Sequence, residues 1–234
     1  MKILGLDSSG LVASVAIIEE DNMLAEYTVN YKKTHSQTLL PMLDEIAKMI
    51  ELDMTSIDAI AIAGGPGSFT GLRIGSATAK GLGLAWNKPL IQIPTVDGLA
   101  YNLYGCKDMV CPLMDARRNQ TYTGLYEFDK KGMKVLEPQC AVGIDEIITK
   151  INEIGREVMF LGDGVPVFRE YIKEHCGVAF SFAPAHMNKQ RAASVAALGS
   201  IYYQEGKVQT PTEHRPDYLR LSQAERERME QTSC

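Results

Sequence analysis

The sequence predicts an α/β protein of two related halves, each a mixed sheet flanked by helices. Two observations carry this. Three strand-like runs followed by alternating helix and strand occur twice, over residues 3–104 and 109–205. At the centre, a period-free apolar run from Ile57 to Ala63 meets a glycine-rich turn and a long helix. That is the pattern of a strand covered on both faces and running into a helix. No residue-level identity links the halves, so the repeat rests on element order. The expected division is a lobe over 1–104, a second over 105–221 and a charged tail over 222–234.

The first half opens with Lys2-Ile3-Leu4-Gly5-Leu6-Asp7-Ser8-Ser9, a strand ending in an acid and two hydroxyls. Strands follow at 11–18 and 23–31, with Gly10 and Asp21-Asn22 as turns. A helix over 36–51 carries a core face of Leu39, Leu43, Ile46, Ala47 and Ile50, and Met42 and Met49 extend the apolar arc beyond it. Apolar surface in excess of what a core needs suggests an interface, and methionine suits adaptable contacts. The plainer reading is a wide core face. After the central strand, Gly64, Gly65 and Gly67 permit a tight turn. Ser68 or Thr70 can cap the helix that runs to Trp86. Along it Gly71, Gly75 and Ala79 form a side for close backbone approach, Arg73, Ser76 and Lys80 a polar stripe, and Leu72, Ile74 and others an apolar surround. A helix this apolar is covered on more than one side. A strand at 89–95 and a short helix at 96–104 close the half.

The second half repeats the order, with strands at 109–115, 121–128 and 134–142. A helix at 145–153, a strand at 158–162, a helix at 165–174, a strand at 178–182 and a helix at 191–205 follow. Tyr218 and Leu219 in the segment 212–221 are apolar enough to dock on the body. Ala224-Glu225-Arg226-Glu227-Arg228 beyond them reads as frayed or as an interaction tail.

At 234 residues, 45% hydrophobic and 23% charged, the chain has ordinary globular composition. No apolar run is long enough for a bilayer and no signal-peptide layout precedes Ile3, so the expectation is a cytoplasmic protein without membrane contact. Five scattered cysteines without a CxxC argue against a disulfide framework or a zinc site. A net charge of −5 argues against independent nucleic-acid binding, and Lys32-Lys33, Arg117-Arg118 and Lys130-Lys131 read as solvated turns.

The chemistry is sparse. None of His35, His175, His186 and His214 has a histidine four residues on, so no helical metal pair is present. There is no Gly-x-Ser-x-Gly elbow. Gly65-Pro66-Gly67-Ser68-Phe69-Thr70 lacks the Gly-Lys-Ser/Thr ending of a P-loop and is no GxGxxG. Asp7 and Asp115 each end the first strand of a half. Either could hold a magnesium-bound nucleotide through water, or merely satisfy turn amides. With the N–H groups of a helix start beside them, the nucleotide-binding candidates are Asp7, Ser8, Gly65, Gly67, Ser68 and Gly71. Packing alone is the competing account of the glycines.

Taken in order, five blocks resemble the TsaB (YeaZ) family. They are Leu4-Gly5-Leu6-Asp7-Ser8-Ser9, His35-Ser36-Gln37-Thr38-Leu39-Leu40-Pro41, Gly65 through Gly75, Met114-Asp115-Ala116-Arg117-Arg118 and Tyr218-Leu219-Arg220. The resemblance spans nearly the whole chain, and the Gly65–Gly75 block is its specific part. It implies a two-lobed actin-like, ribonuclease H-like fold of the sugar kinase, Hsp70 and actin (ASKHA) class. It also implies a place in making threonylcarbamoyladenosine (t6A) in tRNA, as partner of a TsaD-like transferase rather than as catalyst. The family's TsaD relatives bind metal through His-x-x-x-His; here Leu39 stands where the second histidine would be, so neither a catalytic nor a metal residue is expected. The implied partners are a TsaD-like paralogue, a TsaE-like ATPase and tRNA through the complex, with a homodimer when the chain is alone. The expected partner face comprises Leu39, Met42, Leu43, Ile46, Met49, Leu72, Arg73, Gly75, Ser76 and Ala79. No cofactor is expected to bind tightly; ATP or ADP would sit at a partner interface. The rival reading is a nucleotide-binding ATPase or kinase of the same fold.

Overall fold

A computed structural model describes residues 1–31 and 37–220. The readings made for Lys32-Lys33, His35 and Ser36, and for the tail from residue 221, lie outside them. Two five-stranded sheets form the body. The first contains β1 (Lys2–Asp7), β2 (Ala13–Glu19), β3 (Asn22–Val29), β4 (Ala59–Ala63) and β5 (Leu90–Ile93), in the order β3-β2-β1-β4-β5. The second contains β6 (Met109–Asp115), β7 (Gln120–Asp129), β8 (Gly132–Gly143), β9 (Val158–Leu161) and β10 (Phe180–Phe182), in the order β10-β9-β6-β7-β8. Number for number these are one topology used twice. In both, the first three strands are antiparallel and the crossover strands parallel. The duplication expected from element order is therefore present.

The helices are α1 (Leu39–Met49), α2 (Phe69–Trp86), α3 (Thr95–Ala100), α4 (Ile144–Ile154), α5 (Val165–His175) and α6 (Ala192–Gln204). The central helix begins where the sequence put it, with Ser68 accepting from Gly71 N at 3.3 Å, and left-handed Asn87 ends it. Leu4, Leu6, Val15, Ile17, Ile60 and Ile62 project to one face of the first sheet and pack against α1 and α2. On the opposite face Ile3, Ala59, Ala61 and Ile91 meet Val195, Ala196 and Leu198 of α6. Small residues bring this helix very close: a Cβ on Gly5 would lie 2.3 Å from Ala192 O, and one on Gly199 2.6 Å from Ala61 Cβ.

Division of the chain at residue 104 thus follows the strands but not the cores. Helix α6, the last of the second half, covers the first sheet, while α3 of the first half packs through Val96, Leu99 and Ala100 on Val110, Met114 and Tyr126 of the second. The first lobe even caps the borrowed helix. Ala192 N donates to Ser14 Oγ at 2.9 Å and Ala193 N to Glu26 Oε1 at 3.1 Å. A carboxylate there also suits the helix dipole. The reciprocal tie is Tyr126 Oη donating to Asp97 Oδ1 at 2.7 Å, both groups buried.

Candidate functional site

The glycine-rich turn between β4 and α2 is the natural centre, and each candidate there has contacts within the chain. Asp7 is buried, and its Oδ1 accepts from Ser9 N at 2.9 Å and Ser9 Oγ at 2.7 Å. Ser8 Oγ donates to Gly71 O at 2.9 Å. Ser68 N donates to Ser9 O at 2.7 Å, and a Cβ on Gly67 would lie 2.3 Å from that same carbonyl. The β1–β2 turn is thus zipped onto the start of α2. On the other side Gly65 N donates to Thr95 Oγ1 at 3.0 Å and Thr95 N to Gly65 O at 2.8 Å. Asp7, Ser8, Gly65, Gly67, Ser68 and Gly71 are therefore brought together as the sequence predicts, but in contact with the chain itself. The glycines serve close packing here, and the N–H groups of Gly65, Ser68 and Gly71 already have acceptors within the chain.

A third side was not read from sequence. After α6 the chain pairs with the β5 edge through Leu90 and Gln209, two bonds of 2.9 Å. It then crosses the turn, with Asp217 N donating to Gly64 O at 2.7 Å. Gly65 has φ +120, and a Cβ there would lie 2.0 Å from Asp217 O, so only glycine fits. His214 anchors this segment. It is fully buried, its Nδ1 lies 2.9 Å from Gln209 Nε2, and burial first, then Lys80, pushes its pKa down to about 4. The expected docking of Tyr218 is present: its ring meets Phe69 at 4.7 Å, and the Arg73 guanidinium covers Phe69 at 3.9 Å. Arg220 Nη1 then donates to Ala116 O in the other lobe.

The equivalent turn of the second lobe is also self-contained. Asp115 Oδ1 accepts from Arg117 N at 2.8 Å, and its Oδ2 pairs with Arg117 Nη1 at 3.0 Å. Asp115 N points to Asp163 Oδ1 at 3.4 Å, and burial raises the Asp163 carboxyl above its usual range. Among the described residues no cluster of three or more His, Cys, Asp or Glu could hold a metal ion.

The expected partner face needs correction. Leu39, Met42, Leu43, Ile46, Leu72, Gly75, Ser76 and Ala79 are all buried inside this chain. Met42, at 5% exposure, belongs to the core and not to an arc beyond it. Gly75 faces Ser8, whose Oγ would lie 2.4 Å from an added Cβ. Of that set only Met49, at 74% exposure, and Arg73 point outward. The outward face of α2 is Arg73, Ala77, Gly81, Leu84 and Ala85, beside Leu40 and Met49 of α1. The helix thus carries two small-residue ridges on opposite sides. Ala77, Gly81 and Ala85 recur every four residues, so this ridge was as visible in the sequence as the buried one. Among the described residues an added Cβ on Gly81 would meet nothing within 4 Å.

Comparison with known proteins agrees with this architecture. The family model described as TsaD, tRNA N6-adenosine threonylcarbamoyltransferase, matches residues 22–228. The Bacillus subtilis tRNA threonylcarbamoyladenosine biosynthesis protein TsaB is 31% identical over 225 residues, covering 96% of each chain. The Escherichia coli protein of that name is 28% identical, over 94% of this chain and 95% of its own. A tRNA N6-adenosine threonylcarbamoyltransferase from Fervidobacterium nodosum is 29% identical over 119 residues, 44% of this chain and 35% of its own. The solved structure of YeaZ from Pseudomonas aeruginosa superposes with a TM-score of 0.78 at 22% identity, over 93% of this chain and 100% of that one. Among the described residues no helix is long and apolar enough to cross a membrane. With its duplicated sheets, its two-lobed actin-like fold and a relative matched almost end to end, the chain belongs to the TsaB family, within the wider group that the TsaD model describes.

Proposed function

We propose that this chain is an accessory subunit for t6A modification of tRNA, a scaffold that performs no catalysis itself. The observation that carries the reading is the outward ridge of α2. Gly81 sits inside a helix, where glycine costs about 0.5–1 kcal/mol relative to alanine, and among the described residues nothing lies within 4 Å of a Cβ built there. Flanked by Ala77, Ala85 and the 62%-exposed Leu84, it suits close approach of a second helix. The relationship to the transferase supplies the partner: a TsaD-like paralogue of the same fold would present a like helix. Alone, the chain would use the ridge on itself, in an isologous dimer. A TsaE-like ATPase would join the pair in the cytoplasm, and tRNA would be held by the assembly, with ATP or ADP at a partner interface.

The deciding experiment is reconstitution. The chain alone and the TsaD-like protein alone should leave unmodified tRNA unchanged, and the mixture with the TsaE-like ATPase should produce t6A. Full modification without this chain would overturn the reading. The rival ATPase or kinase predicts turnover of magnesium-ATP by the isolated chain that disappears with Asp7→Ala.

A further inference from the structure

Two blocks that define the family resemblance, Met114 to Arg118 and Tyr218 to Arg220, take no part in the pairing just described. The fold joins them. Arg220 Nη1 donates to Ala116 O, which places it against the β6–β7 turn carrying Arg117 and Arg118. Two residues earlier Tyr218 lies on Phe69 at 4.7 Å, and Phe69 lies under Arg73 at 3.9 Å. Arg73, the tilted Phe69–Tyr218 ring pair and Arg220 thus follow one another toward the turn that carries Arg117 and Arg118, from one lobe to the other. Arg118 is exposed with no acidic partner among the described residues, Arg117 is 84% exposed though paired with Asp115, Arg73 is exposed where it covers Phe69, and Arg220 is half-buried. The turn also holds Arg117 and Arg118 in a costly backbone. Arg117, Arg118 and Asn119 have φ of +66, +55 and +61, a left-handed run that side-chain-bearing residues seldom adopt.

We infer that this face, Arg73, Arg117, Arg118 and Arg220 with the Phe69–Tyr218 rings, grips the phosphate backbone of an RNA strand. Guanidinium forks match phosphate geometry. Aromatic rings interleaved with arginine are the usual platform for unstacked bases, and an acidic peptide would make no use of them. The glycine turn beside the face is occupied by Ser9, Thr95 and Asp217, which favours an extended strand across the surface over a nucleotide inside the turn. The inference rests on the chain serving a tRNA-modifying assembly, and it assigns this subunit a direct share of the RNA contact. An overall charge of −5 keeps the affinity weak, in the range of about 1–100 µM.

The test is fluorescence anisotropy of the isolated chain with a labelled unmodified tRNA transcript. Poly-glutamate and magnesium-ATP serve as competitors. Four phosphate contacts predict that affinity falls about 50- to 150-fold between 50 and 200 mM salt. Arg118→Gly is compatible with the left-handed turn, so its Tm should be unchanged or raised while its RNA affinity drops several-fold and its salt slope falls by about one. Arg118→Asn, also tolerant of that backbone, should behave alike. Arg156→Ala, which removes a cation paired with Glu127, should leave RNA binding unchanged. Three results would overturn the inference: no RNA binding at 50 mM salt, equal binding by Arg118→Gly and wild type, or displacement of RNA by poly-glutamate or ATP at matched charge. Failure of the scaffold reading is separable, because Gly81→Leu should abolish pairing and keep RNA binding.

Discussion

Replacing Gly81 by alanine is expected to make the isolated chain more stable. The position lies in the interior of α2, is exposed, and would receive a Cβ with nothing among the described residues within 4 Å. The gain is then the helix-propensity difference, about 0.5–1 kcal/mol. For a chain of this length that raises Tm by about 1–4 °C. The matched control is Gly75→Ala, on the same helix but facing inward. There the Cβ would lie 2.4 Å from Ser8 Oγ and 3.1 Å from Ile62 Cδ1. Ser8 cannot swing away without losing its bond to Gly71 O. Overpacking of this kind costs about 1–3 kcal/mol, so Tm should fall by roughly 2–12 °C. Differential scanning calorimetry on the pair reads both signs. Sedimentation velocity then adds Gly81→Leu, whose side chain would stand where the proposed partner helix approaches; it should leave a folded monomer. If Gly81→Ala loses as much stability as Gly75→Ala, the assignment of faces is wrong. If Gly81→Leu associates like wild type, the ridge is not the contact.

His214 and Asp97 give opposite pH signatures. His214 is neutral in the fold, with a pKa of about 4 against 6.5 when exposed, so the unfolded chain takes up a proton first as pH falls. Stability should decline between about pH 6.5 and about pH 4, by about 2 kcal/mol at pH 5. His214→Gln should flatten that segment in urea titrations, and limited trypsin digestion at Arg215 should quicken at pH 5 in wild type alone. Asp97 is shifted upward by burial, with the Tyr126 hydroxyl opposing. Its contribution is present below about pH 3.8 and is lost as pH rises through the folded value. Asp97→Asn keeps an acceptor for Tyr126 Oη, so its stability relative to wild type should grow from acid to neutral pH. A constant difference would refute the assignment.

Much of the body was legible because its signals are local. The run Ile57 to Ala63 is apolar apart from Asp58, so it reads as a strand covered on both sides; the strand is Ala59–Ala63, every residue of it buried. The glycines after it announce a turn, and Ser68 the helix start. What the sequence concealed is non-local. Helix α6 has apolar residues all round, which says that it is covered but not by which sheet. Both ridges of α2 consist of small residues, and contacts distant in sequence, such as Ser8 and Ile62 against Gly75, decide which faces inward. Periodicity assigned Met42 to the surface for a similar reason. An apolar arc wider than one contact needs can mean a partner or simply a second neighbour, and here α1 fills the space over β2. The anchoring of 207–220 was hidden because a lone histidine among polar residues carries no pattern. Tyr218 and Leu219 gave the hint.

The crossed helices have a consequence for biosynthesis. Ile3, Ala59, Ala61 and Ile91 leave the ribosome early, yet the surface that shelters them is residues 192–204. Throughout most of translation the first sheet must therefore emerge with one greasy side bare. A nascent chain stalled before residue 192 would be a natural substrate for chaperones and proteases, and neither lobe expressed as a fragment should persist without the other.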